Sequence, residues 1–136
     1  MADVTLEWTG DRLQFVGSAS DGDPLLVGGD EEGPGAKPSD LLPLSLAACT
    51  AYDVVEILRK QRQDLHQMVV TIRSDQDPDP PWTFRAIHLR FVLTGTVDAA
   101  KAAKAVALAE SKYCATAATL RPVVEITHEV QVLPAT

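Results

Sequence analysis

The sequence predicts an α+β domain with a mostly antiparallel sheet around one long central helix. Three observations carry this. Apolar and polar residues alternate with a period of two near both ends of the chain and in its middle, the pattern of half-buried strands. Between those stretches, Lys37 to Arg62 is apolar on nearly every face and too long for a strand. An alanine-rich run from Asp98 to Lys112, with high helix propensity, precedes the last alternating stretch. Strands in runs, with helices set between them, indicate α+β rather than a strictly alternating α/β order.

Each element has its own signal. Val4, Leu6 and Trp8 alternate with Thr5 and Glu7, Gly10-Asp11 marks a turn, and Leu13 and Phe15 resume the alternation. Residues 3 to 17 therefore read as a hairpin, with Leu25 to Val27 as a third short strand. The loop Gly28 to Ala36 is rich in Gly and acid and lacks the Gly-Lys-Ser/Thr element of a phosphate cradle. The long helix spans Lys37 to Arg62. Ser39 or Asp40 is placed to cap it, Pro43 forces a start or a distortion there, and Arg59, Lys60 and Arg62 suit its negative end. Leu65 to Ser74 and Thr83 to Thr94 form a second hairpin around a proline- and aspartate-rich tip. After the alanine-rich helix, Tyr113 to Leu120 is a short helical piece stopped before Pro122. Val123 to Leu133 is the closing strand, with Val124, Ile126, Val130 and Val132 on one face.

The 136 residues favour a single domain, residues 1–136, and the net charge of −7 with no basic stripe argues against a nucleic-acid partner. The apolar stretch Leu41 to Leu58 nearly reaches membrane-spanning length but contains Asp53 and Glu56, so no membrane role is expected. Met1-Ala2-Asp3 leads directly into strand-like alternation, so no secretory leader is expected and the protein is placed in the cytoplasm. There a permanent structural disulfide between the two cysteines is not expected, and on count alone both are small buried hydrophobes.

The central helix changes that reading. A helix apolar all round must be covered all round, either by a second copy of the chain or by the alanine-rich helix. The first option is favoured and gives an obligate homodimer. The polar residues Ser45, Cys49, Asp53 and Glu56 recur at intervals of four, four and three, which places them on one narrow stripe. A thiol thus lies in the only polar seam of a buried helix. Asp53, one turn from Cys49, opposes thiolate formation, so a reactive Cys49 requires a nearby cation; Arg12 and Arg121 are the candidates. Cys114 stands at the start of the short helix among small and polar neighbours, which suggests partial exposure and a favourable local potential. His66, His88 and His128 are isolated, lack metal-ligand spacing and read as polar strand positions.

Lys37-Pro38-Ser39-Asp40-Leu41-Leu42, Ser45-Leu46-Ala47-Ala48-Cys49-Thr50, Asp53-Val54-Val55 and Ile57-Leu58-Arg59-Lys60 resemble the signature of the OsmC/Ohr family, and Ser111-Lys112-Tyr113-Cys114 resembles its second cysteine segment. Asp40 standing second after Pro38 is similar to the general OsmC-like branch rather than to the Ohr branch. Arg12 follows Gly10-Asp11 rather than two glycines, and Ala115 follows Cys114 where a proline is usual.

The resemblance implies an intertwined homodimer, with central helices wrapped by sheets from both chains and sites at the interface. It implies a thiol-dependent peroxidase that reduces organic hydroperoxides without metal or flavin. Cys49 would form a sulfenic acid, held as thiolate by Arg12 that Asp40 orients. Cys114 would then close a disulfide, and a dithiol reductant, of lipoyl type in such proteins, would reopen it. The alternative is a non-catalytic dimer that binds an apolar small molecule between its helices.

Overall fold

The structure is a computed structural model that describes residues 3–19, 22–29 and 35–135. Residues 30–34 of the expected Gly28–Ala36 loop lie outside the described residues, as do the first two residues of the chain. The chain divides into two compact units, Met1–Leu42 and Pro43–Thr136.

In the first unit, β1 (Val4–Trp8), β2 (Leu13–Ala19) and β3 (Leu25–Gly29) form an antiparallel meander in that order. The β1–β2 turn needs a left-handed residue, and Arg12 supplies it with φ 46. The turn is pinned by the Trp8 indole, whose Nε1–H donates to the Arg12 carbonyl at 2.8 Å. The expected hairpin and third strand are both present. A 3-10 turn, Pro38–Asp40, comes at the end of this unit.

Helix α1 spans Leu41–Lys60. Neither Ser39 nor Asp40 caps it, contrary to the sequence expectation. The capping position of the preceding turn falls on Lys37, which makes no side-chain cap. The turn satisfies itself instead, Asp40 N–H donating to the Lys37 carbonyl at 3.0 Å. The tighter turn also accommodates Pro43, which has no amide hydrogen to offer to the helical ladder. Pro38–Lys60 is apolar enough to cross a membrane by length and composition, but its Leu46, Val54 and Leu58 are fully buried in the protein core.

The second unit carries β4 (Asp64–Gln76), β5 (Phe84–Thr96) and β6 (Glu125–Leu133) in the order β4-β5-β6. β4 and β5 are antiparallel, with Asp64 opposite Thr96 and Gln76 opposite Phe84. Gly95 is fixed by this pairing: its φ is +149, and a Cβ there would meet the Asp64 carbonyl oxygen at 2.2 Å. β6 joins β5 in parallel, Ala86 beside Glu125 and Thr94 beside Leu133. A parallel partner needs a long crossover. It consists of α2 (Ala99–Leu108), one π-helical turn (Ala109–Tyr113) and α3 (Ala115–Leu120). Asp98 caps α2 by accepting the Lys101 N–H at 2.9 Å.

The period-two pattern of β5 resolves as read. Ile87, Leu89, Phe91 and Leu93 point inward and are fully buried, in one cluster with Leu46, Val54 and Leu58 of α1 and Ala102, Ala105, Val106, Ala109 and Ala117 of the crossover. The alanines let the crossover helices approach closely. Fully burying a leucine or phenylalanine contributes about 1.5–3 kcal/mol, so this cluster dominates the stability of the second unit.

Candidate active site

The α1 stripe faces the crossover. Ser45 Oγ lies 3.4 Å from Thr116 Oγ1 in the first turn of α3. Cys49, one turn further along α1, is half-buried. Asp53 and Glu56 continue the stripe into a cleft of about 350 Å³ shared with Ile57, Lys60, Leu108 and Tyr113. The residue after Cys49 is also polar and turns inward: Thr50 is fully buried and donates its hydroxyl to the Leu46 carbonyl at 2.9 Å.

Cys114 ends the π-helical turn and caps α3. Its N–H donates to the Ala109 carbonyl at 2.8 Å, and its sulfur accepts the Ala117 N–H at 3.3 Å. Its side chain is buried, 2% exposed, and packs in the core cluster. This corrects the expectation of partial exposure. The small and polar neighbours Ser111, Lys112 and Tyr113 turn outward, and the thiol turns in as the cap of α3.

The two cysteines are unbridged, and each shifts the other's proton affinity. Desolvation pushes the Cys49 thiol up, but hydrogen bonds from the Cys114 thiol, from the Thr116 and Ala115 N–H groups and from the Thr116 hydroxyl outweigh it, and Cys49 ends below its ordinary value. Cys114 moves the other way. Burial raises it first, and its role as donor to Cys49 raises it further, against opposing hydrogen bonds from the Ala117 N–H and Thr50. The first turn of α3 therefore serves both sulfurs: its Ala117 N–H bonds Cys114, as the sequence expectation had it, and Ala115 and Thr116 act on Cys49 across the seam. One sulfur is thus favoured as thiolate and the other as thiol.

Asp53 is not among the groups that act on Cys49, so the repulsion expected from it is not what sets the thiol. Nor is Arg121, whose guanidinium donates to the Glu110 carbonyl at 2.6 Å. Arg12 and Asp40 belong to the first unit. There Arg12 Nε stands 3.7 Å from the Asp11 carboxylate, and Asp40 closes the 3-10 turn. Sequence reading found the two thiols but missed Thr50 and Thr116. Thr116 left one usable trace: it stands two residues after a capping cysteine, where first-turn N–H groups are unpaired. Among the described residues no group of three or more His, Cys, Asp or Glu residues is placed to hold a metal ion.

Comparison with known proteins places the fold. Protein YhfA of Escherichia coli K12 is 34% identical over 131 residues, covering 96% of this chain and 97% of that protein. A crystal structure from Aquifex aeolicus VF5 superposes with a TM-score of 0.82 at 27% identity over 98% of each chain. An organic hydroperoxide resistance protein OsmC of Legionella pneumophila shares the fold, with a TM-score of 0.67 at 19% identity over 96% of each chain. The family model for OsmC-like protein matches residues 28–129. With long central helix, flanking strands and paired thiols all in their expected order, the chain belongs to the OsmC-like protein family.

Proposed function

We propose that the protein is a cysteine-based peroxidase that reduces organic hydroperoxides. The observation that carries this reading is the placement of the two thiols about the first turn of α3. Cys114, buried, caps it through the Ala117 N–H, and Ser45, one turn before Cys49, meets its Thr116. Burial chiefly raises Cys114, while hydrogen bonds, one of them from Cys114, outweigh burial and lower Cys49. The Cys49 thiolate attacks the outer oxygen of R–O–OH. The O–O bond breaks, the alkoxide takes a proton and leaves as alcohol, and Cys49 becomes a sulfenic acid. The Cys114 sulfur displaces that hydroxyl as water and closes the Cys49–Cys114 disulfide. A small dithiol then restores both thiols by exchange and leaves as its own disulfide. Arg12 and Asp40 carry, by family pattern, a guanidinium that acts on the charge developing as the O–O bond breaks and the carboxylate that orients it.

The working form in this reading is a homodimer. Leu44, Ala48 and Tyr52 form a stripe on α1 that the chain itself leaves exposed. Beside it a cleft of about 380 Å³ is lined by Ala48, Ala51, Tyr52, Val55 and Met68 together with Glu56 and Arg59. A second copy covering this face, one residue along α1 from Cys49, encloses a largely aliphatic pocket that would admit an alkyl hydroperoxide. A cytoplasmic setting supplies the reducing conditions that return the pair to thiols.

The test is turnover of cumene hydroperoxide with a dithiol. One alcohol formed per dithiol oxidised, lost in Cys49→Ser, is the expected result. A Cys49→Ser protein that still turns over overturns the reading, and binding of an apolar probe without any turnover by wild type points to the non-catalytic alternative.

A further inference from the structure

The turn that leads into Cys114 holds polar groups that the thiol chemistry does not use. Ala109–Tyr113 is a π-helical turn, which inserts one extra residue between α2 and Cys114. Such turns are rare and concentrate at functional sites. This one is held from two sides. The Glu110 carboxylate lies 2.7 Å from His128 Nδ1, with side-chain exposures of 14% and 28%. The Glu110 backbone carbonyl accepts from Arg121, beyond the end of α3, at 2.6 Å.

His128 occupies a position where packing alone would place a hydrocarbon. It shares a sheet face with Ile126, Val130 and Val132, and its register partner Leu89 is fully buried. A largely buried polar pair seldom adds stability over apolar residues of the same size, but it does impose one geometry. Here the geometry imposed is that of the turn that ends in Cys114.

We propose that Glu110, His128 and Arg121 are positioning residues for Cys114: together they clamp the π-helical turn and keep the Cys114 sulfur within reach of Cys49. Relaxation of the turn to ordinary α-helix removes the extra residue, rotates Cys114 about the helix axis by about 100° and carries its thiol off the seam. The proposal rests on reading Cys49 and Cys114 as a redox couple, and it adds residues that touch neither sulfur.

The test is the equilibrium of the reduced protein with a dithiothreitol redox buffer, read by acid quench and mass spectrometry. In this exchange the S–S bond of oxidised dithiothreitol breaks and the Cys49–Cys114 bond forms. Two electrons and two protons pass to the reagent's thiols. Glu110→Ala and His128→Phe are each expected to lower the equilibrium constant for disulfide formation roughly tenfold, about 30 mV. Glu110→Gln, which keeps a hydrogen-bonding group for His128, is expected to return it to within about threefold of wild type, and Glu125→Ala, on the outer face of β6, to leave it unchanged. Should Glu110→Ala fail to fold, Arg121→Gln at the exposed end of α3 probes the same turn. Clamp variants that keep the wild-type constant, or a Gln variant no better than Ala, overturn the clamp while leaving the couple intact. A wild type that forms no disulfide at any buffer ratio overturns the couple and the clamp with it.

Discussion

Ser45 Oγ lies 3.4 Å from Thr116 Oγ1, so one turn of α1 and the first turn of α3 meet through two hydroxyls immediately beside Cys49. Thr116 has a double role there, because its N–H and its hydroxyl both lower the Cys49 thiol. Thr116→Val removes the hydroxyl and keeps the N–H and the shape. The pH midpoint of Cys49 alkylation is expected to move up. The rate at neutral pH should fall roughly threefold, a modest change because Cys49 is partly exposed and solvent screens the bond. Stopped-flow alkylation across pH checks this, and an unmoved midpoint assigns the whole effect to the backbone donors.

The opposed environments of the two sulfurs predict selective chemistry. At neutral pH iodoacetamide is expected to modify Cys49 at least about tenfold faster than Cys114, since only the thiolate reacts and Cys114 is buried as well. The signs come from the shifts. The Cys49 rate rises through a midpoint below that of an ordinary cysteine, and the Cys114 rate through one above it. Cys114→Ala deletes the thiol donor and moves the Cys49 midpoint up. Peptide mapping of partly alkylated protein decides the order, and equal labelling contradicts the polarised pair.

How far the site was legible depends on what kind of signal each residue leaves. Cys49 was found because α1 has a single polar stripe, and a stripe at helical spacing survives in sequence. The inward face of β5 was found for the same reason at a period of two. The parallel pairing of β6 left no such trace, because alternation reports which side chains share a face and not the direction of the neighbouring strand. Cys114 was misjudged because exposure was inferred from its neighbours in sequence, whereas its burial depends on the direction in which a capping side chain turns. His128 was legible and overlooked: it keeps the parity of Val124, Ile126, Val130 and Val132, so it had to point inward and find a buried partner. That partner, Glu110, lies in a π-helical turn whose extra residue no α-helical periodicity anticipates.

Arg12 and Asp40 separate two contributions to reactivity. The donors of α3 and the Cys114 thiol lie in the same unit as Cys49 and lower it without a guanidinium. Arg12→Ala is therefore expected to change the Cys49 alkylation rate by less than about twofold, yet to lower kcat/KM for hydroperoxide roughly 10²-fold, the usual effect of losing one charged or hydrogen-bonding group that acts on the transition state. Arg12→Lys should recover only part, because an ammonium lacks the planar fork that Asp40 is assigned to orient. A parallel fall in alkylation and turnover would instead make Arg12 a thiolate stabiliser in the ground state.

The exposed stripe of α1 makes the most physical demand on a partner. Tyr52 is 70% exposed and Leu44 is 48% exposed on a helix whose opposite side is sealed in the core. A symmetric dimer buries each such residue twice, and burying a large apolar side chain contributes about 1.5–3 kcal/mol. Introducing a charge at either position reverses the sign of that term in both copies. Tyr52→Arg and Leu44→Glu are expected to weaken self-association by about 10² or more and to yield monomers at micromolar concentration, while the wild type remains a dimer. Light scattering coupled to size-exclusion chromatography reads this directly. The same variants should keep selective alkylation of Cys49, since that depends on contacts within one chain, but lose hydroperoxide turnover, since in the proposed dimer the second copy completes the pocket. A monomeric variant with full turnover would separate the chemistry from the dimer and place the substrate wholly on one chain.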